Sequence, residues 1–335
     1  MLTNTKSNQY DMYFQLYPNA IPVWGKKQCI IVDLYSGEYY RIPDSVYLFL
    51  HKNGIESLTV RKINNSLDFF FENEILVVLN RFVQAGLGFF SSKVDYIKAL
   101  NIEYKTPYII NNVIIEIDNV KNYSLDLLLS NLLRINCQQI EIRINNSKAF
   151  DEVVYILEKF NNSNIRSIQI IYLSDQSIDN KSLEVVEKNR KISDLIIFSS
   201  EQFIKNGLNT LGKIQFINEE FNENLDEVSF IINPVYFYEA HSFNASLNQK
   251  IAIDKNGEIK NYLTHKSSFG NINYNRIEDV INDKNFLNRW SISNDRIERC
   301  KECELRYFCL SFSDVVIEKG KITKLNYCNK EYNYL

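Results

Sequence analysis

Apolar clusters recur between about residue 108 and residue 233, at 113–117, 140–144, 168–173, 195–198, 214–217 and 228–232. The first four are about 30 residues apart or slightly less, the length of one strand–helix–strand unit. Between them run amphipathic stretches at 125–133, 150–160 and 183–188, whose apolar positions repeat with helical spacing. Short apolar strands alternating with helices predict an α/β fold with a parallel sheet buried on both faces. Six such units predict a partial (β/α) barrel, not a closed eight-stranded one.

The flanks read differently. In residues 1–95, Cys29-Ile-Ile-Val-Asp-Leu34 and Glu38-Tyr-Tyr-Arg-Ile42 alternate like strands around the turn Tyr35-Ser36-Gly37. Pro43-Asp44-Ser45 starts a helix over 46–51. A second helix around 71–84 places Ile75, Val78, Leu79 and Phe82 on one face and stops at Gly86-Leu-Gly88, before Phe89-Phe90. This predicts a small winged-helix-like domain, which serves either for peptide recognition or for packing alone. Residues 105–235 form the α/β segment and 236–335 a third. That third segment opens on a hairpin, Lys250-Ile-Ala-Ile-Asp254 and Glu258-Ile-Lys-Asn261, joined through Asn256-Gly257.

Composition narrows the function classes. The chain has 335 residues, 45% hydrophobic and 24% charged, with 21 Tyr, 21 Phe, 10 Gly and 5 Pro. That excludes collagen-like and mostly disordered chains. A net charge of −3 leaves no basic footprint for nucleic acid. The most apolar stretch, 67–83, is broken by Asp68, Glu72, Glu74 and Arg81, so no membrane span is expected. The N-terminus lacks an apolar signal core, which predicts a cytoplasmic protein.

Four of the six cysteines fall in the last 36 residues: Cys300, Cys303, Cys309 and Cys328, spaced C-x2-C-x5-C-x18-C. In a reducing compartment such a set reads as metal ligands. Two thiolates from one turn and two from elsewhere suit tetrahedral zinc or an iron–sulfur cluster. Arg299, Lys301 and Arg306 favour the thiolate forms. Cys29 and Cys137 stand alone. His51, His241 and His265 are scattered, Gly86-Leu-Gly88 is a helix stop, and the pair Glu219-Glu220 reads as solvated.

The run Cys300-Lys-Glu-Cys303-Glu-Leu-Arg306-Tyr-Phe-Cys309 resembles the SPASM region of radical-SAM-type peptide maturases. Ile21-Pro22-Val23, Cys29–Leu34, Ile42-Pro43, Ile251-Ala-Ile-Asp254, Gly257–Asn261 and Ser268-Phe-Gly-Asn-Ile272 extend the resemblance to the SPASM-domain partner protein of grasp-with-spasm ribosomal peptide systems. This family is a degenerate relative of the radical SAM fold. The resemblance implies one four-iron, four-sulfur cluster on Cys300, Cys303, Cys309 and Cys328, with zinc the alternative. A first auxiliary cluster is not expected, because Tyr262, Phe312 and Ser313 stand where its cysteines belong. S-adenosylmethionine is not expected either: the loop from Asp118 to Ser124 has no cysteine, and Arg143-Ile-Asn-Asn-Ser147 replaces the Gly-Gly-Glu signature. The implied partners are a precursor peptide and an ATP-grasp ligase. The functions that compete are a peptide-binding maturation factor, a redox maturase acting through its cluster, and a zinc-stabilised interaction protein. Strand addition of a leader is expected near Tyr39, Tyr40 and Val46, and His241 is a candidate peptide contact.

Overall fold

The computed structural model describes residues 13–52, 58–59, 69–92, 97, 100–118, 123–145, 150–173, 178, 180–198, 210–217, 221 and 229–328. Residues 1–8, 119–122, 146–147, 219–220 and 228, on which some of the sequence readings rest, lie outside these.

The N-terminal segment holds two small antiparallel sheets. One has the order β2–β3–β4, from Ala20–Val23, Cys29–Asp33 and Glu38–Ile42. The other has the order β5–β1–β6, from Leu58–Thr59, Tyr13–Leu16 and Gly88–Ser91. Among the described residues, helices α1 (Asp44–Lys52) and α2 (Phe69–Gln84) join these sheets. The β3–β4 hairpin and both helices follow the sequence pattern, whereas β1, β2 and β5 were not anticipated. Pro22 masks β2, and Pro is tolerated there because β2 is an edge strand.

Strand β3 is buried on both faces. Cys29 and Ile31 join Val46, Phe49, Leu50, Ile75, Leu79 and Phe82 beneath the helices. Ile30 and Val32 join Val23, Leu34, Phe237, Leu305 and Phe308 in a separate core. The hairpin is therefore sandwiched between its own helices and the C-terminal segment.

The central sheet has eight strands in the order β11–β12–β10–β9–β8–β7–β14–β15. β7 (Asn112–Ile117), β8 (Gln139–Ile144), β9 (Ser167–Tyr172), β10 (Ile192–Phe198) and β12 (Ile214–Ile217) run parallel. The short strand β11 (Thr210–Leu211) closes one edge antiparallel. Helices α3 (Leu125–Arg134), α4 (Phe150–Phe160) and α5 (Asn180–Lys188) connect β7 through β10, each packing on the next and all sharing one core with the sheet. α3 starts at Ser124, whose hydroxyl accepts from the Leu127 amide at 3.4 Å.

Two expectations are corrected. The sixth parallel strand is not residues 228–232: β13 (Ser229–Phe230) leaves the sheet to pair with β16 (Cys309–Leu310). The sixth parallel strand is β14 (Lys250–Ile253), which joins at the opposite end of the sheet beside β7, with β15 (Ile259–Lys260) as an antiparallel edge. The segments 105–235 and 236–335 thus share one sheet and one core, running from Ile110 to Trp290. The second face of the sheet is buried as expected at Ile114, Arg143, Ile171 and Ala252, but it is not apolar throughout. Ile140, Ile142 and Ile144 alternate with Gln139, Glu141 and Arg143, and Glu141 lies in register with Gln169, which pairs with Asp194. The isoleucine face packs on the helices, and the other carries a polar row.

Beyond the sheet, α6 (Pro234–Ser242) is capped by Asn233, which accepts from the Tyr236 amide at 2.9 Å. Helices α7 (Ile277–Val280) and α8 (Lys284–Trp290) lead to the cysteine-bearing tail, whose last element among the described residues is the hairpin β17 (Val315–Glu318)–β18 (Lys321–Lys324). No helix among the described residues is long and apolar enough to cross a membrane.

Candidate metal centre

Three pieces of backbone carry the tail cysteines. Cys300 opens a single 3-10 turn through Glu302 after Arg299, which takes φ +66°, and the Cys303 amide closes it on the Cys300 carbonyl at 2.9 Å. Cys309 sits in β16, held by β13. Cys328 follows β18, which is tied to the Cys300 turn by the Glu298 amide donating to the Ile322 carbonyl at 2.8 Å. Chain reversal at Lys319-Gly320, both at positive φ, is what returns β18 toward the turn.

These supports bring all four cysteines onto one cavity of about 310 Å3. Five cationic side chains line it (Lys26, Lys27, Arg299, Arg306 and Lys324) against the two carboxylates Glu302 and Glu304. The Arg299 guanidinium lies 4.3 Å from the centre of the Tyr327 ring, which also faces the cavity. Burial pushes the Cys309 thiol up to about 12, only partly offset by Lys324, with Cys300, Cys303 and Cys328 close enough to add to the rise. Burial likewise raises Cys300, against Lys324. As free thiols Cys300 and Cys309 are therefore neutral near pH 7, because burial outweighs the nearby cations expected to favour thiolates, and binding a cation would expel their protons.

Among the described residues no three His, Cys, Asp or Glu side chains converge as ligands of one metal ion. A tetrahedral zinc, with Zn–S near 2.3 Å, would hold its thiolates about 3.8 Å apart. The four thiols share the cavity of about 310 Å3 with ten other lining residues. The donor set of four thiols is of the kind that binds zinc or an iron–sulfur cluster, and cations outnumber carboxylates around it.

The remaining sequence-singled residues lie elsewhere. Cys29 is in the core under α1, with burial and Asp44 raising its thiol to about 11. Cys137 is in the central core, raised to about 12, its Sγ donating to the Gln139 carbonyl at 3.1 Å. Tyr262 and Phe312 are brought together, their rings stacked at 4.4 Å and 12°, and Arg143 donates to the Tyr262 hydroxyl at 3.0 Å. His265 contacts the Phe312 carbonyl through Nε2 at 2.8 Å, and burial lowers its pKa. His241 stacks on Tyr307 at 4.1 Å, and His51 on Tyr47 at 5.4 Å. Val46 is fully buried, so it cannot form a docking pocket as expected.

Sequence reasoning missed the N-terminal share of the site. Lys26 and Lys27 reach the cavity from the β2–β3 turn, more than 270 residues before Cys300, and no local signal marks them. A second groove of about 710 Å3 lies between β4 and α2, lined by Tyr39, Tyr40, Arg41, Val78, Arg81 and Phe82 among others. β4 is an edge strand, and Tyr39 and Tyr40 are exposed on it. A scan against protein-family models finds none that matches this chain, and a search of the curated proteins finds no match.

Proposed function

We propose that this protein is a maturation factor for a ribosomally synthesised peptide, a SPASM-type relative of radical SAM maturases. It binds the precursor and presents it to an ATP-grasp ligase. The observation that carries the reading is the convergence of Cys300, Cys303, Cys309 and Cys328 on one cation-lined cavity. Those four residues would hold a single four-iron, four-sulfur cluster, which contributes folding free energy to the tail and a one-electron redox centre when bound. The lining cations outnumber the carboxylates Glu302 and Glu304, and that excess would offset the charge of such a thiolate-bound group. The monotonic strand–helix order of β7 to β12 agrees with a degenerate partial barrel. The contact between Tyr262 and Phe312 puts two positions that the resemblance assigns to a first cluster side by side, filled here by aromatic rings.

The groove between β4 and α2 suits an extended leader peptide. A strand added to the β4 edge would gain backbone hydrogen bonds, Tyr39 and Tyr40 would anchor its side chains, and Arg41 and Arg81 would favour acidic residues. The test is reconstitution with a candidate precursor peptide and an ATP-grasp ligase. Dehydrative cross-linking of the precursor that requires this protein supports the reading. Cross-linking at an equal rate without it contradicts the reading, and modification by this protein alone would make it the enzyme.

A further inference from the structure

We propose that the metal-bound cysteine loop clamps the peptide-docking hairpin, so that occupancy of the C-terminal site sets the order of the β4 edge. The inference rests on reading the four-thiol cavity as a metal centre and adds a regulatory role to it.

The turn between β2 and β3 lies directly on the loop between Cys300 and Cys309. The Lys26 amide donates to the Glu302 carbonyl at 2.8 Å. The Gln28 side-chain amide donates to Glu304 at 3.2 Å. Arg306 donates through one Nη atom to the Trp24 carbonyl at 2.6 Å and to the Cys303 carbonyl at 2.9 Å, joining the turn to a ligand residue. The Lys26–Glu302 ion pair is exposed and adds little. Contact is closest at Gly25, where a Cβ would stand 2.6 Å from a Glu304 carboxylate oxygen and 2.7 Å from the Gln28 carbonyl.

Apolar packing continues the contact. Val23, Ile30, Val32 and Leu34 share their core with Leu305 and Phe308, which lie between Cys303 and Cys309. β3 then pairs along its full length with β4, from Cys29↔Ile42 to Asp33↔Glu38. One continuous strand pair therefore joins the cysteine loop to the groove edge.

The loop itself has little regular structure, a three-residue turn at Cys300–Glu302 and the two-residue β16. Bound metal would add to the order that Leu305 and Phe308 already give this loop, as metal binding contributes folding free energy. Metal that fixes the loop fixes the surface on which the β2–β3 turn rests. By linkage, a peptide that orders β4 must tighten metal binding by the same factor.

Hydrogen exchange of the full-length protein, with and without anaerobic loading by iron and sulfide, tests this. Loading should slow exchange about tenfold in β3 and β4 as well as in the cysteine loop, an ordinary coupling between two sites. Gly25→Ala should take up the same iron and sulfide, while exchange in β3 and β4 no longer responds. Uptake with protection confined to the tail overturns the clamp and leaves the metal centre standing. No uptake of iron and sulfide overturns both. Should Gly25→Ala fail to fold, the response of the unaltered protein decides by itself.

Discussion

Phe308→Ala probes the junction on which the account depends. Phe308 is 1% exposed, and its ring stacks on Phe237 with centroids 5.8 Å apart and planes 16° apart. Its amide donates to the Leu305 carbonyl at 3.0 Å and its carbonyl accepts from Ile231 at 2.9 Å, so the backbone holds the position whatever the side chain. Burying a Phe removes roughly 150–250 Å2 from water, worth about 4–6 kcal/mol at about 25 cal/mol per Å2. Alanine keeps part of that area, while the vacated volume adds a cavity cost, and the two corrections leave about 3–5 kcal/mol. Three segments meet in this core: the β2–β3 sheet, α6 and the cysteine loop. The loss should therefore appear in all of them. Urea unfolding of the metal-loaded chain, followed by circular dichroism, would measure it. Tyr35→Ala, at a side chain 79% exposed, is the control and should change stability by no more than about 0.5 kcal/mol. A loss below about 1 kcal/mol for Phe308→Ala, like that of an average substitution, would refute the shared core.

Other outcomes follow from the site and its surroundings. Alanine at any one of Cys300, Cys303, Cys309 or Cys328 should lose most of the bound metal, whereas Cys29→Ala and Cys137→Ala should keep it, read by metal analysis of purified variants. Metal uptake should be more complete at about pH 8 than at about pH 6, because the raised Cys300 and Cys309 thiols must each release a proton, and spectroscopic titration checks the trend. Burial raises the Glu239 carboxyl to about 7, so its neutral form favours folding. Its contribution is whole below about pH 4.5 and is lost as pH rises to about 7. Glu239→Gln, which keeps an acceptor for Asn248, should flatten that part of the stability–pH curve. Reconstituted protein should release no 5′-deoxyadenosine from S-adenosylmethionine above background, as chromatography would register.

The strand–helix alternation was legible because isoleucine-rich runs with helical spacers leave few other readings. The Asn256-Gly257 hairpin was legible for a similar reason: Gly257 takes φ +79°, as that turn demands. The entry of β14 into the central sheet was not, since a strand of four residues does not announce its neighbour. The exchange of β13 for β14 turns on tertiary pairing: Ser229 and Phe230 find Leu310 and Cys309, some 80 residues on. The polar row on the sheet is visible in Gln139-Ile-Glu-Ile-Arg-Ile144 as strict alternation, which the more continuous apolar runs of the neighbouring strands obscure. At the site, the four thiols were marked by spacing alone. The cations from the β2–β3 turn were not, because contacts across such a separation leave no trace in local pattern.

The central claim is that Cys300, Cys303, Cys309 and Cys328 hold one iron–sulfur cluster. Iron and acid-labile sulfide analysis of anaerobically purified full-length protein tests it most directly. The account predicts about four iron and four sulfide per chain, as a single cluster of this type requires. About one zinc with no sulfide, or four titratable free thiols with no metal, would contradict it.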